Sequence, residues 1–346
     1  MAAFLLSGCS SDEPEMKDES CRIVILLDTS ASSPASGVKS SATRAAGDET
    51  SKTLVSESEV KNLNLYVVTD DNRSFPVVSR YLGNKDGNYQ YEATLSVAED
   101  YVTYDSSAKS YYLSGRIAAV ANMPVEPVHH PFSEDTFPVS QITSLGLIPM
   151  WGITTVENLQ LRVGDRIDCG TSIEMLRAVP KLTLTLDDDI RDQFMITQVV
   201  ASTKDFNLTA FCQPGGAKSA KETGLLNKNE WYNPASVENK KGDGITVTGL
   251  KSDCVTVYTG ERAFDNINPR ATCLNVTLER RDGTGAPIKG KVYMCDYKGG
   301  SPDFNSPFDR LVRNHDYRYS ISLASLEMII SFRQWIYGGK VHVDLE

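Results

Sequence analysis

The stretch Lys181-Leu-Thr-Leu-Thr-Leu186 alternates polar and apolar residues without a break. Successive side chains of a β-strand point to opposite faces, so this pattern predicts a strand with one face buried and the other in water. The alternation recurs along the chain, between turn-forming clusters rich in Gly, Asn and Asp, at residues 89–97, 274–278, 319–323 and 341–345. No segment sustains a helical apolar period for three turns. The sequence therefore predicts an all-β fold made of β-sandwiches.

The length and charge of the chain limit its organisation and its partners. A chain of 346 residues accommodates about two ordinary domains. We predict an N-terminal domain at residues 21–172 and a C-terminal domain at residues 173–346, because a new series of strands begins with Leu176-Arg-Ala-Val-Pro-Lys-Leu182. A net charge of −10 argues against a nucleic-acid partner, since binding to phosphates requires clustered Lys and Arg.

The first residues predict a lipid anchor. Leu6-Ser-Gly-Cys9 follows a short apolar run and resembles the bacterial lipoprotein signal, in which the cysteine after a small residue is acylated. We therefore expect lipidation at Cys9, attachment to the outer membrane through that lipid, and a polar, acidic tether over residues 9–20. The apolar run is shorter than an export signal requires, so residues 1–8 are expected to be the remnant of a longer signal peptide.

A strand and a loop of small residues follow the tether. Cys21-Arg-Ile-Val-Ile-Leu-Leu27 has the length and the β-branched composition of a strand, which we place at residues 21–28. Residues 29–53 are rich in Ser, Ala and Gly and contain almost no large apolar residue. Such a segment cannot bury enough surface to become ordered, so we predict a mobile loop. A loop of this length in a compact domain usually has a function.

The sequence contains none of the common motifs for catalysis or metal binding. It has no Gly-x-Ser-x-Gly elbow, phosphate loop or His-Glu-x-x-His pair. Asp28-Thr-Ser-Ala-Ser32 has the spacing of a metal site in doubly wound α/β domains, but the surrounding strand patterns do not fit that fold. No pair of cysteines has the spacing of a zinc site. We predict no catalytic residue, no metal site and no cofactor.

One hairpin can be predicted in register. If its turn centres on Thr284, Val276 faces Val292 and the apolar residues of both strands share one face. The same register places Cys273 opposite Cys295, within reach of a disulfide. A bulge in the loop would change this register, and the six cysteines other than Cys9 allow many other pairings.

Several short segments occur in order over nearly the whole chain: Thr43-Arg-Ala45, Lys61-Asn-Leu-Asn-Leu-Tyr-Val-Val68, Ala118-Ala-Val-Ala-Asn122, Leu147-Ile-Pro-Met-Trp-Gly152, Leu176-Arg-Ala-Val-Pro-Lys-Leu182 and Val312-Arg-Asn-His-Asp-Tyr317. Each is weak alone, but together they resemble the fimbrillin, or type V pilin, family of Gram-negative gut and oral bacteria. Val179-Pro180 departs from the family's Arg-x-x-Ala-Lys segment. The resemblance implies two transthyretin-like β-sandwich domains in tandem.

The resemblance also implies a function. Proteins of this family are exported as lipoproteins and cleaved at the outer surface by an arginine-specific protease, which removes the lipid and the first strand. A strand from a neighbouring subunit then fills the vacated groove. For this chain, that implies a structural subunit, stalk or tip, of a cell-surface fimbria that serves adhesion. The implied partners are other fimbrial subunits, in a homo- or heteropolymer, the maturation protease, and a host or bacterial surface ligand that the sequence does not identify.

The residues that would carry this process can be named from the sequence. The scissile bond is expected between Arg44 and Ala45, because the other Arg-Ala pairs lie in or beside predicted strands. The displaced first strand would contribute Ile23, Val24, Ile25, Leu26 and Leu27. The donor strand is expected within residues 325–346, where alternate residues are apolar: Val341, Val343 and Leu345. Alternatively, this segment closes the sheet of its own C-terminal domain.

Two other functions stay open from the sequence. An uncleaved anchor subunit would keep its lipid and terminate the fibre. A glycan-binding surface lipoprotein would also stack β-sandwiches behind a lipid, but it needs an exposed aromatic platform. The chain has three tryptophans, Trp151, Trp231 and Trp335, and two of them fall in segments that resemble structural parts of the fimbrillin family.

Overall fold

The computed structural model describes residues 20–29, 58–71, 73–123, 136–201, 206, 209–211, 245–263, 272–308, 310–311, 313–324 and 327–336. Within these ranges one short helix, α1 (Ser140–Leu145), accompanies twenty-three strands. The predicted all-β fold class is therefore confirmed. No helix in the described part of the chain has both the length and the apolar character needed to span a bilayer.

Ten strands form the N-terminal unit: β1 (Ser20–Asp28), β2 (Leu63–Val68), β3 (Ser74–Lys85), β4 (Asn88–Ser96), β5 (Val102–Asp105), β6 (Ser110–Ala121), β7 (Thr136–Pro138), β8 (Met150–Leu161), β9 (Arg166–Glu174) and β10 (Leu176–Arg177). All but β7 join one sheet, in the order β10-β8-β6-β2-β3-β4-β1-β9 with β5 beside β6. The first part of β3 pairs with β2 and the rest with β4. This strand therefore passes from one layer to the other, and the sheet folds over an apolar core.

The core of the N-terminal unit follows from the alternation in its strands. In β4, Tyr91, Ala93 and Leu95 point inward, and each is at most 6% exposed. The layer opposite β4 contributes side chains such as Leu65 of β2 and Ile117 of β6 to the same cluster. Burying such alternate residues on the two inner faces is what holds a β-sandwich together.

Thirteen strands follow: β11 (Lys181–Leu186), β12 (Phe194–Ala201), β13 (Thr209–Phe211), β14 (Ile245–Ser252), β15 (Cys254–Tyr258), β16 (Arg262–Ala263), β17 (Cys273–Arg280), β18 (Ile288–Tyr293), β19 (Cys295–Lys298), β20 (Ser301–Pro307), β21 (Arg310–Leu311), β22 (His315–Ala324) and β23 (Glu327–Ile336). Two four-stranded sheets, β15-β11-β22-β23 and β14-β12-β17-β18, enclose the C-terminal core. Leu182, Leu184 and Leu186 of the alternating stretch lie in that core and are at most 2% exposed.

The junction between the two units lies a few residues later than predicted. The boundary between residues 172 and 173 would divide β9, which pairs with β1, and β10 pairs with β8 of the N-terminal unit. The chain passes to the C-terminal sheets only at residues 178–180. A third apolar cluster forms here, with Trp151 from β8, Val179 from the crossing segment and Tyr258 from β15.

The hairpin of β17 and β18 differs from its predicted register by two residues. Val276 lies opposite Gly290, and Cys273 lies opposite Tyr293. The turn centres one residue earlier than predicted because Gly283 adopts a left-handed φ of 72° and donates its N–H to the carbonyl oxygen of Arg280. A shift of two residues keeps each side chain on its predicted face.

The predicted disulfide between Cys273 and Cys295 is absent from the structure. Cys295 lies in β19, opposite Pro307 of β20, and is a buried free cysteine. The two cysteines are therefore in different strand pairs, because the chain leaves the hairpin after Tyr293.

Part of the predicted donor segment belongs to the C-terminal unit's own sheet. Residues 327–336 form β23, which pairs with β22 along ten residues. These residues therefore close the sheet of their own C-terminal domain, which is the alternative given from the sequence. Of the predicted segment, residues 337–346, with Val341, Val343 and Leu345, lie outside the described residues.

Candidate functional site

The first strand occupies a central position in the N-terminal sheet. It pairs antiparallel with β4, from Ser20 opposite Ser96 to Leu27 opposite Tyr89, and parallel with β9 on its other side. We call the space between β4 and β9 the first-strand groove. It is lined inward by Tyr91, Ala93, Leu95 and Ile173, which all belong to the same core cluster.

The pairing of β1 with β9 is interrupted once, and residues that flank β9 extend it at both ends. At one end, the N–H of Gly164 donates to the carbonyl oxygen of Ser20, and at the other the N–H of Met175 donates to that of Asp28. In between, the parallel register shifts after Val24, where β9 bulges around Gly170 with a left-handed φ of 70°. The pairing with β4 is continuous, so β4 supplies the regular edge of the groove.

Four inward residues of β1 fill the groove: Cys21, Ile23, Ile25 and Leu27, each at most 1% exposed. The three large aliphatic side chains contribute about 1.5–3 kcal/mol each, or about 5–9 kcal/mol together. Val24 and Leu26 lie on the other face, so the displaced-strand set named from the sequence mixes two faces. That set omits Cys21, which also points inward. The alternation of the strand predicts this, because Cys21 lies two residues before Ile23. Burial raises the pKa of the Cys21 thiol to about 11, so it stays neutral and packs as an apolar group.

An ion pair crosses the outer face of β1. The carboxylate of Glu92 on β4 lies 3.3 Å from Nε of Arg166 on β9, and it also accepts a 2.8 Å hydrogen bond from Arg80 on β3. Because β1 lies between β4 and β9, the Glu92–Arg166 pair passes over the first strand; we call it the clasp. Beneath it, Val24 is only 5% exposed. Sequence reasoning does not find the clasp, since its two residues are far apart in the chain.

A second buried site, the polar junction, joins the C-terminal strands to the crossing segment. Nε of Arg313 donates a 2.8 Å hydrogen bond to Glu261, and both side chains are 5% exposed. The next residue, Asn314, donates its N–H to the carbonyl oxygen of Val179 and accepts the N–H of Arg177 at 3.3 Å. Asn314 has a φ of 59°, a conformation that Asn tolerates better than most residues. Arg313 and Asn314 therefore fix the position of the crossing segment, residues 178–180, where the chain passes from one unit to the other.

The polar junction continues into β22. Asp316 is fully buried and accepts hydrogen bonds of 2.7 Å from Thr183 and 2.8 Å from Arg318. His315 is 5% exposed, and its Nδ1 lies 2.9 Å from the carbonyl oxygen of Arg313. Burial lowers the pKa of this imidazole, so it is neutral at physiological pH.

Asn122 plays a role in the N-terminal unit that resembles that of Asn314. It also has a left-handed φ, of 58°, and is 2% exposed. Its amide donates to the carbonyl oxygens of Glu59 and Ile148, and its oxygen accepts the N–H of Lys61. Two of the segments that resemble the fimbrillin family, those with Asn122 and Asn314, therefore have a structural role. The side chains of both asparagines form hydrogen bonds with the backbone of distant segments.

The remaining residues predicted for function lie outside the described part of the chain. These are the lipidation residue Cys9, the scissile pair Arg44 and Ala45, and the donor residues Val341, Val343 and Leu345. No group of three or more His, Cys, Asp or Glu side chains within the described ranges is placed to hold a metal ion.

The fold is similar to that of fimbrial proteins of solved structure. The tip fimbrial protein Mfa3 from Porphyromonas gingivalis, with a C-terminal truncation, aligns with a TM-score of 0.50 and 11% identity, over 91% of this chain and 99% of that one. This chain therefore shares the overall arrangement of that protein, as the sequence resemblance predicts.

Other similar structures include a fimbrilin from the same organism, with a TM-score of 0.46 and 11% identity over 92% of this chain and 98% of that one. A fimbrial assembly protein from Parabacteroides distasonis has a TM-score of 0.42 and 12% identity over 91% of this chain and 98% of that one. No family model matches the chain, and no curated protein matches it.

Proposed function

We propose that the chain is a structural subunit, stalk or tip, of a cell-surface fimbria that serves adhesion. In this proposal it is exported as a lipoprotein acylated at Cys9 and cleaved between Arg44 and Ala45, and it polymerises when a strand of another subunit replaces β1. Its partners are other fimbrial subunits and an arginine-specific protease, with the outer membrane holding the lipid before cleavage. In this proposal the chain has a structural role and catalyses no reaction.

The observation that carries this proposal is the setting of β1. It is a central strand, but it pairs with strands far along the chain, β4 and β9, and the small-residue segment 29–53 follows it directly in sequence. A cut in that segment leaves β1 held only by noncovalent contacts. Another strand with the same alternation could replace it by β-augmentation, because backbone pairing is independent of sequence.

The settings of two other Arg-Ala pairs support cleavage at Arg44; the third, at Arg270, lies outside the described residues. Arg177, which also precedes an alanine, is 1% exposed and lies in β10. Arg262 lies in β16, paired with β21. A protease must bind an extended, accessible segment, and neither of these arginines offers one.

Limited proteolysis and gel electrophoresis test the proposal together. A low dose of an arginine-specific protease, which spares Lys39 and Lys52 in the same segment, should first cut the full-length chain after Arg44, leaving Ala45 as the new N-terminus, and the cut chain should form ladders on a gel run without boiling. The Arg44→Gln variant, as the control, should stay intact and monomeric under the same treatment. Ladders in that variant, or a first cut at Arg177, would contradict the proposal.

The donor role of residues 337–346 has its own test. Val341→Asp with Val343→Asp should leave the uncut monomer folded, because β1 still fills its groove. After the cut, this variant should form no ladders, since two carboxylates would be buried without partners, each at a cost of several kcal/mol. Unfolding of the uncut monomer would instead assign these residues to the domain's own sheet.

An uncleaved anchor is the second candidate, and the lipid distinguishes it. Fatty-acid label should enter the precursor, be absent from Cys9→Ala, and disappear from a stalk or tip subunit after cleavage. An anchor would retain the label within assembled fibres. The glycan-binding alternative loses support because Trp151 is 1% exposed and packs in the core.

A further inference from the structure

The first strand is enclosed on three sides, and the clasp lies across the fourth. Within the sheet, β4 and β9 flank β1, and the apolar core packs against its inner face. The Glu92–Arg166 pair crosses the outer face at Val24, which lies opposite Glu92. A strand in this position leaves only toward solvent, through its outer face. The clasp must therefore open before β1 departs.

The carboxylate of the clasp is fixed from the side that faces away from β1. Arg80 on β3 lies directly opposite Glu92 and donates its 2.8 Å hydrogen bond to one carboxylate oxygen, while Arg166 approaches the other oxygen from β9. The side chain of Glu92 is 6% exposed, whereas those of Arg80 and Arg166 are 69% and 47% exposed. Because Arg80 keeps the carboxylate in place, the clasp opens when Arg166 turns into solvent.

Two like charges face each other beside the clasp. Arg22 on β1 lies opposite Arg166 in the parallel pairing, and like charges at directly opposite positions of neighbouring strands destabilise their pairing. The two guanidinium groups have different partners. A terminal nitrogen of Arg22 donates a 3.1 Å hydrogen bond to the carbonyl oxygen of Gly164, and Arg166 pairs with Glu92. Glu92 therefore closes the clasp and also offsets the repulsion between the two arginines.

The other groups beside the outward residues of β1 make local contacts. Asp168 lies opposite Val24 on β9, but its carboxylate accepts the N–H of Gly170 in its own strand at 3.0 Å. Leu26 lies opposite Gln90 and Ser172, which are uncharged. The position of Val24, under the clasp, is therefore where charge acts across the first strand.

We propose that Glu92 slows the release of β1 after the 29–53 segment is cut, and that opening of the clasp limits the rate of release. The inference rests on the proposed exchange of β1 and adds the residue that governs its first step. An interaction that must break before a strand leaves acts on the rate of leaving. Cleavage and release are then separate events, and a cut subunit keeps its groove filled for a time that the clasp sets.

The rate at which the cut strand departs tests this role of Glu92. The full chain carries a fluorophore on its N-terminal amino group, is cut after Arg44 with an arginine-specific protease, and is then freed of the protease. An excess of unlabelled peptide with the sequence of residues 20–28 prevents rebinding, and the fall in anisotropy follows the departure of the labelled fragment. Glu92→Gln is compared with the wild type. The matched control is Asp100→Asn, because Asp100 also pairs with an exposed arginine, Arg73, at 2.7 Å, but this pair does not cross β1.

The fragment should leave the Glu92→Gln chain about fivefold faster than the wild type, which corresponds to ~1 kcal/mol, and it should leave Asp100→Asn at the wild-type rate. Raising the salt concentration from about 0.05 M to about 0.5 M screens the charges, so it should speed release from the wild type but not from Glu92→Gln. A general loosening of the sheet would instead leave the salt dependence unchanged. Equal rates in the two chains, or the same salt dependence in both, would overturn the role of Glu92.

The wild-type chain separates failure of this inference from failure of strand exchange. If the fragment leaves the wild type at a rate that Glu92→Gln does not change, the exchange of β1 stands and the clasp does not govern it. If no fragment leaves either cut chain, the exchange of β1 is wrong, and the inference with it.

Discussion

The first-strand groove and the polar junction both bury a segment completely, but by different interactions. In the groove, Ile23, Ile25 and Leu27 pack on apolar neighbours in the shared core. At the polar junction, the guanidinium of Arg313 contacts the carboxylate of Glu261 at 2.8 Å through Nε and at 2.6 Å through a terminal nitrogen. Apolar packing has no direction, whereas charge-assisted hydrogen bonds require particular atoms at particular distances.

This difference indicates what each region requires of the segment that it buries. Any strand with aliphatic residues at alternate positions satisfies the inner face of the groove, which is the property that the proposed exchange of β1 needs. The polar junction fits only its own residues, because its hydrogen bonds require particular donors and acceptors. Four predictions, which use six substitutions, would break or sharpen this contrast.

The same isosteric change should have very different effects in the two regions. Glu261→Gln removes the carboxylate from buried Arg313 and should lower the free energy of unfolding by about 3–5 kcal/mol. Glu92→Gln should lower it by at most about 1 kcal/mol, because its arginine partners reach solvent; Arg166 is 47% exposed. Urea denaturation of the full chain measures the free energy of unfolding of both variants. Equal losses in the two variants would contradict the difference between the groove and the polar junction.

One position in the N-terminal unit should also tolerate little change, although a substitution there should cost less than one at the polar junction. A Cβ at Gly152 would lie 2.7 Å from Cγ2 of Ile173 and 3.0 Å from the sulfur of Met175, and would press on the carbonyl of Glu174. Overpacking of this kind typically costs about 1–3 kcal/mol, so we expect Gly152→Ala to lower the free energy of unfolding by that amount. Unchanged stability would mean that β8 and β9 can separate freely.

Within the groove, a conservative change should be tolerated. Ile25→Val removes one buried methylene and should lower the free energy of unfolding by about 0.5–1.5 kcal/mol. The outward change Leu26→Val, in the same strand, should have an effect within about 0.5 kcal/mol. A loss above about 3 kcal/mol for Ile25→Val would show that the groove requires its own strand, as the polar junction does.

The smallest expected effect is the pH dependence of the polar junction. The pKa of His315 is lowered by burial in the folded chain, whereas an unfolded imidazole binds its proton below about pH 6.5. The unfolded chain therefore binds more protons in that range, and stability falls as pH decreases below about 6.5. His315→Gln should show a smaller decrease than the wild type between pH 7 and 5 in thermal unfolding, and parallel curves would contradict this assignment.

Several features of the fold were predictable from local patterns. Alternation in Lys181-Leu-Thr-Leu-Thr-Leu186 predicts β11 with Leu182, Leu184 and Leu186 inward, and the structure buries all three. The apolar run after the tether predicts β1 almost to the residue. These predictions succeed because a side chain's face depends only on its place in the strand.

The exact pairings were less predictable, because turns set them. In the β17–β18 hairpin, the left-handed Gly283 moved the register by two residues while leaving the faces unchanged. Residues 327–336 have the apolar pattern of a donor strand, yet they pair with β22. A pattern shows that a strand will bury one face, but it does not show against which strand.

By itself, the sequence determined that this chain is all-β and that an apolar strand precedes a segment of small residues. Only the tertiary structure decided that β1 lies between β4 and β9, that Glu92 and Arg166 cross over it, and that Glu261 is the buried partner of Arg313. The physical reason is separation along the chain: each of these contacts joins residues more than fifty positions apart. Alternation specifies which face a residue occupies, whereas the partners on that face are specified only when the whole sheet has assembled.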